Sequence, residues 1–272
     1  SSRPEKLLEM WHMQKPRWIV IDEIQKVPQI LDVVHRGIEE HKILFALTGS
    51  SARKLKRGGA NLLAGRAIER KLAPFSVLEI EQEFSLSKAL SVGMLPTIWS
   101  QKLSNQEAGD FLYSYVNVYL KEEVAAEQLV RNLDPFRRFL VSAAQSNGQI
   151  INHAAIERDS GVSAKQSSRH FEILVDTLLG HYLEPYHRSL RKRQTQKSKF
   201  YFFDVGVARA LQSLVGSDFP PNAGEIGYLF EALVINEFFK LNDAYQKRWQ
   251  LSYFQTQNDN EVDLIIERPR GK

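Results

Sequence analysis

Two short apolar runs constrain this chain most. Trp18-Ile19-Val20-Ile21 ends abruptly in Asp22-Glu23, and Ile43-Leu44-Phe45-Ala46-Leu47 ends in Thr48-Gly49-Ser50-Ser51. Unbroken aliphatic and β-branched runs of this length suit strands covered on both faces of a parallel sheet. The stretch between them, Ile30 to Glu40, reads as one amphipathic helix. Strand, helix and strand then make a right-handed βαβ unit, which brings both carboxyl ends to one rim. Open α/β sheets hold their ligands at that rim. The expected fold class is α/β, with Asp22 and Glu23 standing beside Thr48 and Ser50.

Adjacent carboxylates at a strand end suit nucleotide hydrolysis. One holds Mg²⁺, directly or through water, and the next orients or deprotonates the attacking water. This is a Walker B pattern. On the neighbouring strand Thr48 or Ser50 takes the place of the polar residue that senses the γ-phosphate in P-loop ATPases. Two plainer readings stay open on these residues alone. The acids could be solvated at a surface strand end, and Thr48-Gly49-Ser50-Ser51 could be a turn and helix N-cap, which Ser and Thr both favour.

A longer series of motifs follows in order: Asp22-Glu23-Ile24-Gln25-Lys26-Val27-Pro28, Gly49 to Leu55, Gly58 to Ala67, and Leu72-Ala73-Pro74-Phe75. Together they resemble a large prokaryotic family of AAA+-superfamily ATPases with a helix-rich C-terminal half, and the resemblance extends over nearly the whole chain. It implies a P-loop ATPase core, then a winged-helix-like module, then a domain like the restriction-endonuclease fold. It also implies that ATP and Mg²⁺ are the cofactors, that Asp22 binds Mg²⁺ and that Glu23 activates water. Arg66 would reach a γ-phosphate in its own or a neighbouring subunit, which allows for a homo-oligomer. The plain alternative for Arg66 is a surface arginine after a Gly-rich loop.

No Gly-x-x-x-x-Gly-Lys-[Ser/Thr] phosphate loop occurs in the 272 residues. The nearest imitation, Gly59 to Gly65, has one residue too many and puts Arg66 where the lysine belongs. Such a loop supplies the backbone N–H groups and the lysine that cradle phosphates. The expectation is therefore the back part of an ATPase, its phosphate loop lying before Ser1. By themselves these residues are not expected to bind ATP tightly or hydrolyse it.

Composition narrows the class without choosing a function. Hydrophobic residues make up 43% of the chain, as in soluble globular proteins. The apolar runs are far shorter than a membrane span and no signal-peptide pattern opens the chain, so no membrane partner is expected. The absence of cysteine excludes disulfides and cysteine-ligated zinc and fits a reducing cytoplasm. A net charge of +4 is only mildly basic, and its placement says more than its sum.

Residues 1–83 read as the partial ATPase core and 84–147 as a helical segment. In the latter, Leu112, Tyr115, Val116 and Tyr119, then Phe136, Phe139 and Leu140, recur at helical spacing and read as core. Lys121-Glu122-Glu123 reads as a solvated helix face rather than a metal pair. Residues 148–205 read as a winged helix-turn-helix. Asn152 can cap a helix through Arg158, Gly161 supplies the turn, and Ser163 caps a longer helix to about Leu179. Phe171, Leu174, Val175 and Leu178 would form its buried stripe. Lys165, Gln166 and Arg169, near its start, could reach base edges in a major groove. His181 to Tyr186 and Lys199 to Phe203 read as two wing strands. Between them Arg188, Arg191, Lys192, Arg193, Lys197 and Lys199 make a basic tip suited to DNA phosphates. A charged hairpin that is merely solvated, on a module that contacts only protein, is the alternative.

Residues 206–272 read as part of the endonuclease-like domain. Glu231 on a helix and Asp263 within Glu261-Val262-Asp263-Leu264-Ile265 resemble the first two acids of its metal site. That site also needs a Glu-x-Lys on the next strand, which the chain lacks after Asp263, so Glu231 and Asp263 are expected to be vestigial. Two functions follow. One is an AAA+-type ATPase coupled to a nucleic-acid- or protein-binding C-terminal half. The other is a non-catalytic DNA- or protein-binding module whose ATPase half is vestigial or absent.

Overall fold

A computed structural model describes residues 11, 13–14, 16–49, 65–119, 133–187, 197–215, 223–256 and 260–269. The chain divides into two compact units, Ser1–Glu69 with Asp176–Leu178, and Arg70–Val175 with Leu179–Lys272. Among the described residues no helix is long and apolar enough to cross a membrane.

In the first unit, β1 (Trp18–Ile21) and β2 (Leu44–Leu47) pair in parallel, Trp18 opposite Leu44 and Ile21 opposite Leu47. Helix α1 (Ile30–His41) joins them, and Lys42 in the left-handed region stops it, its N–H bonded to the Gly37 carbonyl. This is the βαβ unit expected from the apolar spacing. Its cover differs from the expectation of strands buried on both faces. Ile19, Ile21, Phe45 and Leu47 face a core built with Leu31, Val33 and Val34 of α1. The alternate residues Trp18, Val20 and Leu44 are exposed. An apolar run satisfies a one-faced and a two-faced strand equally, so the sequence did not distinguish them.

The second unit begins with short helices: α2 (Val77–Ile80), α3 (Leu86–Val92), α4 (Pro96–Ser100) and α5 (Asn105–Ser114). Reciprocal capping boxes start two of them, Ser76 with Glu79 and Ser104 with Glu107. A π-helical turn over Tyr115–Tyr119 extends α5. Leu112 and Val116 are buried and Tyr115 packs against the core, as their spacing predicts. The Tyr119 side chain and residues 121–123 lie outside the described residues. Helix α6 (Leu133–Gln145) buries Phe136, Phe139 and Leu140.

Next come α7 (His153–Ser160) and α8 (Ala164–Asp176). Their ends follow local chemistry. The Asn152 side chain accepts from the Ala155 N–H, and Gly161 at φ +71° closes α7. Ser163 accepts from the Gln166 N–H while the Gln166 amide oxygen accepts from the Ser163 N–H, a capping box that starts α8. Phe171 and Leu174 are buried with Ile173, and α8 ends at Asp176, short of the expected Leu179. Phe139 meets Phe171 edge-on at 4.9 Å, and Phe171 meets Phe200 at 4.8 Å, so an aromatic column runs from α6 through α8 to the sheet.

β3 (Gly180–Pro185) and β4 (Lys199–Phe202) form an antiparallel hairpin. Helices α9 (Val205–Leu211) and α10 (Ala223–Ala244) follow, then β5 (Gln250–Gln255) and β6 (Glu261–Glu267). The four strands make one sheet in the order β4-β3-β5-β6. Only Glu184 with Ser252 and Pro185 with Tyr253 pair β3 to β5, in parallel, so the two hairpins share a short seam. Asp204, fully buried, ties α9 to the α3–α4 turn. Its carboxylate accepts the Val207 N–H as an N-cap and the Met94 N–H at 2.7 Å. A Cβ at Gly93 would collide with that carboxylate, and one at Gly206 with the Val92 carbonyl. Both glycines are therefore required by close approach.

Candidate functional site

At the carboxyl rim of β1 and β2, the Thr48 hydroxyl donates to Asp22 Oδ1 and accepts from the Glu23 N–H at 3.2 Å. The Thr48 carbonyl accepts from the Ile24 N–H at 3.0 Å. The chain reverses here within one residue, because Glu23 sits at φ 54°, ψ 45°, a left-handed conformation uncommon for a residue with a Cβ. Such backbone costs about 1 kcal/mol or more and persists where neighbouring bonds fix it. The Thr48 bonds from the Glu23 and Ile24 N–H groups do so. The turn brings Glu23 into a 3.4 Å ion pair with Lys26, and the ensuing 3₁₀ turn (Ile24–Lys26) buries Ile24.

Asp22 and Thr48 are thus brought together as the βαβ topology predicts, with Glu23 beside them. A carboxylate and a hydroxyl one hydrogen bond apart, both exposed, are hard oxygen donors of the type Mg²⁺ accepts. The donor set therefore fits the ion. Ser50 lies outside the described residues.

Arg66 is placed elsewhere in the unit. Its Nε pairs with Glu39, which holds the Glu39 carboxyl below its ordinary pKa. Glu39 stands in the last turn of α1, whereas the first turn of that helix follows the rim. The Arg66–Glu39 pair is largely exposed and therefore weak.

In the second unit, Lys165, Gln166 and Arg169 are all exposed along the first turns of α8. Gln166 also closes the Ser163 capping box, so part of its hydrogen-bonding capacity is used within the helix end. Arg188, Arg191, Lys192 and Arg193 lie outside the described residues. Lys199 departs from the basic-tip expectation. It is 5% exposed and ion-paired, facing inward from β4, so it is not presented to phosphates. A lysine in a run of cations reads as solvated, and only the acids brought by distant elements show otherwise.

Those acids include the two singled out from sequence. Carboxylate oxygens of Glu231, Glu261 and Asp263 lie within 4.8 Å of one another. Lys199 Nζ donates to Glu231 at 3.0 Å and also pairs with Glu261, and Tyr201 donates to Glu231 at 2.6 Å. Burial lowers the pKa of Lys199, but its hydrogen bonds to Glu261 and Glu231 outweigh that and hold it above the ordinary lysine value. Burial and the Glu231 contact raise the Tyr201 phenol. Glu261, Lys199 and Tyr201 were missed as members of this cluster. The available signal was strand alternation, which puts Glu261 on the face of Asp263 and Lys199 on that of Tyr201.

Residues 2–81 match the family model described as an AAA domain, residues 83–218 match a domain of unknown function (DUF8612), and residues 226–272 match a second domain of unknown function (DUF4143). The N-terminal region is accordingly an AAA-type, ATPase-like module. No curated protein and no solved structure matches the chain.

Proposed function

The chain belongs to the DUF8612 family, whose model spans half of it, and we propose that it is the Walker B-bearing part of an AAA-type ATPase that couples ATP hydrolysis to its C-terminal half. The observation that carries this reading is the Thr48 hydroxyl shared between Asp22 and the backbone of Glu23. Asp22 positions Mg²⁺ at the rim, Glu23 orients or deprotonates the attacking water, and Thr48, with Ser50 nearby in sequence, reads the γ-phosphate. Bound Mg²⁺ supplies charge neutralisation on the phosphates. Arg66, held toward the far end of α1, serves a nucleotide in a neighbouring copy rather than its own, which makes the active form a homo-oligomer. The cradle for the phosphates is not among these residues. Mg²⁺-dependent ATP hydrolysis should therefore be measured on a polypeptide extended upstream through a phosphate loop, and its complete absence there would remove the reading.

A second reading rests on α8. Its capped N-terminal turns present Lys165 and Arg169, with Gln166, on an exposed surface, and Arg188, Arg191, Lys192 and Arg193 follow in sequence. In this reading the segment 148–205 is a winged helix that contacts DNA, or a protein partner if DNA is not bound, and it holds whether or not the ATPase half is active.

A further inference from the structure

The three clustered carboxylates of the second unit invite a divalent cation, and by the resemblance to restriction endonucleases a metal would be held by Glu231 and Asp263. The residues present do not fit one, because a buried ammonium already stands among them. Lys199 donates to Glu231 at 3.0 Å, pairs with Glu261, and lies 5.5 Å from the centre of the Tyr253 ring. It is nearly solvent-free. Three carboxylates brought this close repel one another, and a buried charge persists only when it is paired and hydrogen-bonded. One fixed cation between Glu231 and Glu261 meets both needs there.

We infer that Lys199 is the resident counter-ion of Glu231 and Glu261, beside Asp263, standing where a divalent cation would otherwise go and fastening strand β4 to α10 and β6. The topology explains why a fastener matters. The two hairpins meet along a short seam, two register pairs of β3 and β5 and the bond from the Tyr186 N–H to the Tyr253 carbonyl. Lys199 comes from the first hairpin and Glu261 from the second, with Glu231 on the helix between them in sequence. Tyr253 of β5 adds a parallel tie, donating to the Lys197 carbonyl at 2.6 Å. The cluster is then a structural clasp, and metal-dependent hydrolysis is not its task.

The test uses the full chain and Mn²⁺ as the probe. Any rise in the wild-type melting temperature between EDTA and roughly 5 mM Mn²⁺ should come from the Asp22 rim and persist in Asp263→Asn, since only a ligand that binds the native state raises the midpoint. Lys199→Met should melt about 5 °C or more below wild type in EDTA, because it removes the buried cation that pairs with the half-buried Glu231 and with Glu261. A Mn²⁺-dependent rise in the wild type that Asp263→Asn abolishes would overturn the inference, since the metal would then displace the lysine. A Lys199→Met chain that melts with the wild type would overturn it as well. Should Lys199→Met not fold, the Mn²⁺ comparison between wild type and Asp263→Asn decides alone.

Discussion

Thr48 ties Asp22 to Glu23: its one hydroxyl donates to the Asp22 carboxylate and accepts from the Glu23 backbone N–H. The bond therefore crosses from β2 to β1 and fixes a side chain and a strained backbone turn together. In the proposed mechanism the residue that reads the γ-phosphate is physically joined to the residues that hold the metal and activate the water.

Thr48→Val keeps the shape and removes both bonds. In a polypeptide that carries a phosphate loop, kcat for ATP hydrolysis should fall roughly 10- to 100-fold, because a hydrogen bond to a charged group is worth about 1.5–3 kcal/mol. Thr48→Ser should retain most activity. Equal rates for Thr48→Val and wild type would detach Thr48 from the chemistry.

Arg66→Ala breaks an exposed ion pair with Glu39, and an exposed pair contributes little stability. If Arg66 completes a neighbour's site, the same change should lower kcat by roughly 10³-fold or more, as arginine fingers do. Mixing Arg66→Ala with Glu23→Gln subunits should then partly restore hydrolysis. Normal turnover in Arg66→Ala alone would leave it a surface arginine.

The rim was legible because its signals are local. An apolar run ending abruptly in two acids, a helix, and a second run ending in Thr48 fix which side chains meet at one edge, and Asn152, Gly161 and Ser163 announce their caps in the same way. What the sequence could not give depends on distant partners. Trp18 and Val20 are exposed because α1 covers only one face of the sheet, a fact no strand pattern carries. Lys199 sits within a cationic stretch and looks solvated until α10 and β6 bring Glu231 and Glu261 to it. Arg66 could be matched to a motif, but the partner that holds it, Glu39, has no motif of its own.

His181 should govern part of the acid sensitivity. Its Nε2 is buried with no hydrogen-bond partner among the described residues, and its ring packs on Phe239 at 3.7 Å and lies 6.1 Å from Tyr201. Burial, then the charges of Lys71 and Lys240, push its pKa down to about 3. The folded pKa lies below the unfolded value of about 6.5, so the unfolded chain takes up the proton first. This contribution is fully present above about pH 6.5 and is lost by roughly 1.4 kcal/mol per pH unit as the pH falls toward 3. Urea unfolding at pH 7.5 and 5 should show a smaller difference for His181→Phe than for wild type. Identical pH differences would assign the acid loss to other groups.

DNA binding, if residues 148–205 perform it, should weaken steeply with salt. Changing Arg191, Lys192 and Arg193 together to Ala should flatten the slope of log K against log salt by about three units at most and weaken all sequences alike. Lys199→Met should leave the slope unchanged, since that lysine is turned inward. Changing Gln166 or Arg169 should alter sequence preference, because these residues could reach base edges. A low-salt titration showing no binding by this chain or by a longer one would leave the segment a protein-contact surface.

The most direct test of the central claim is Glu23→Gln in a polypeptide that includes a phosphate loop, with ATP affinity and hydrolysis measured on the same preparation. The amide preserves the shape at the turn and loses the base, so the loss belongs to the chemical step. The account predicts unchanged ATP affinity with hydrolysis abolished. Hydrolysis at the wild-type rate in this variant would contradict it.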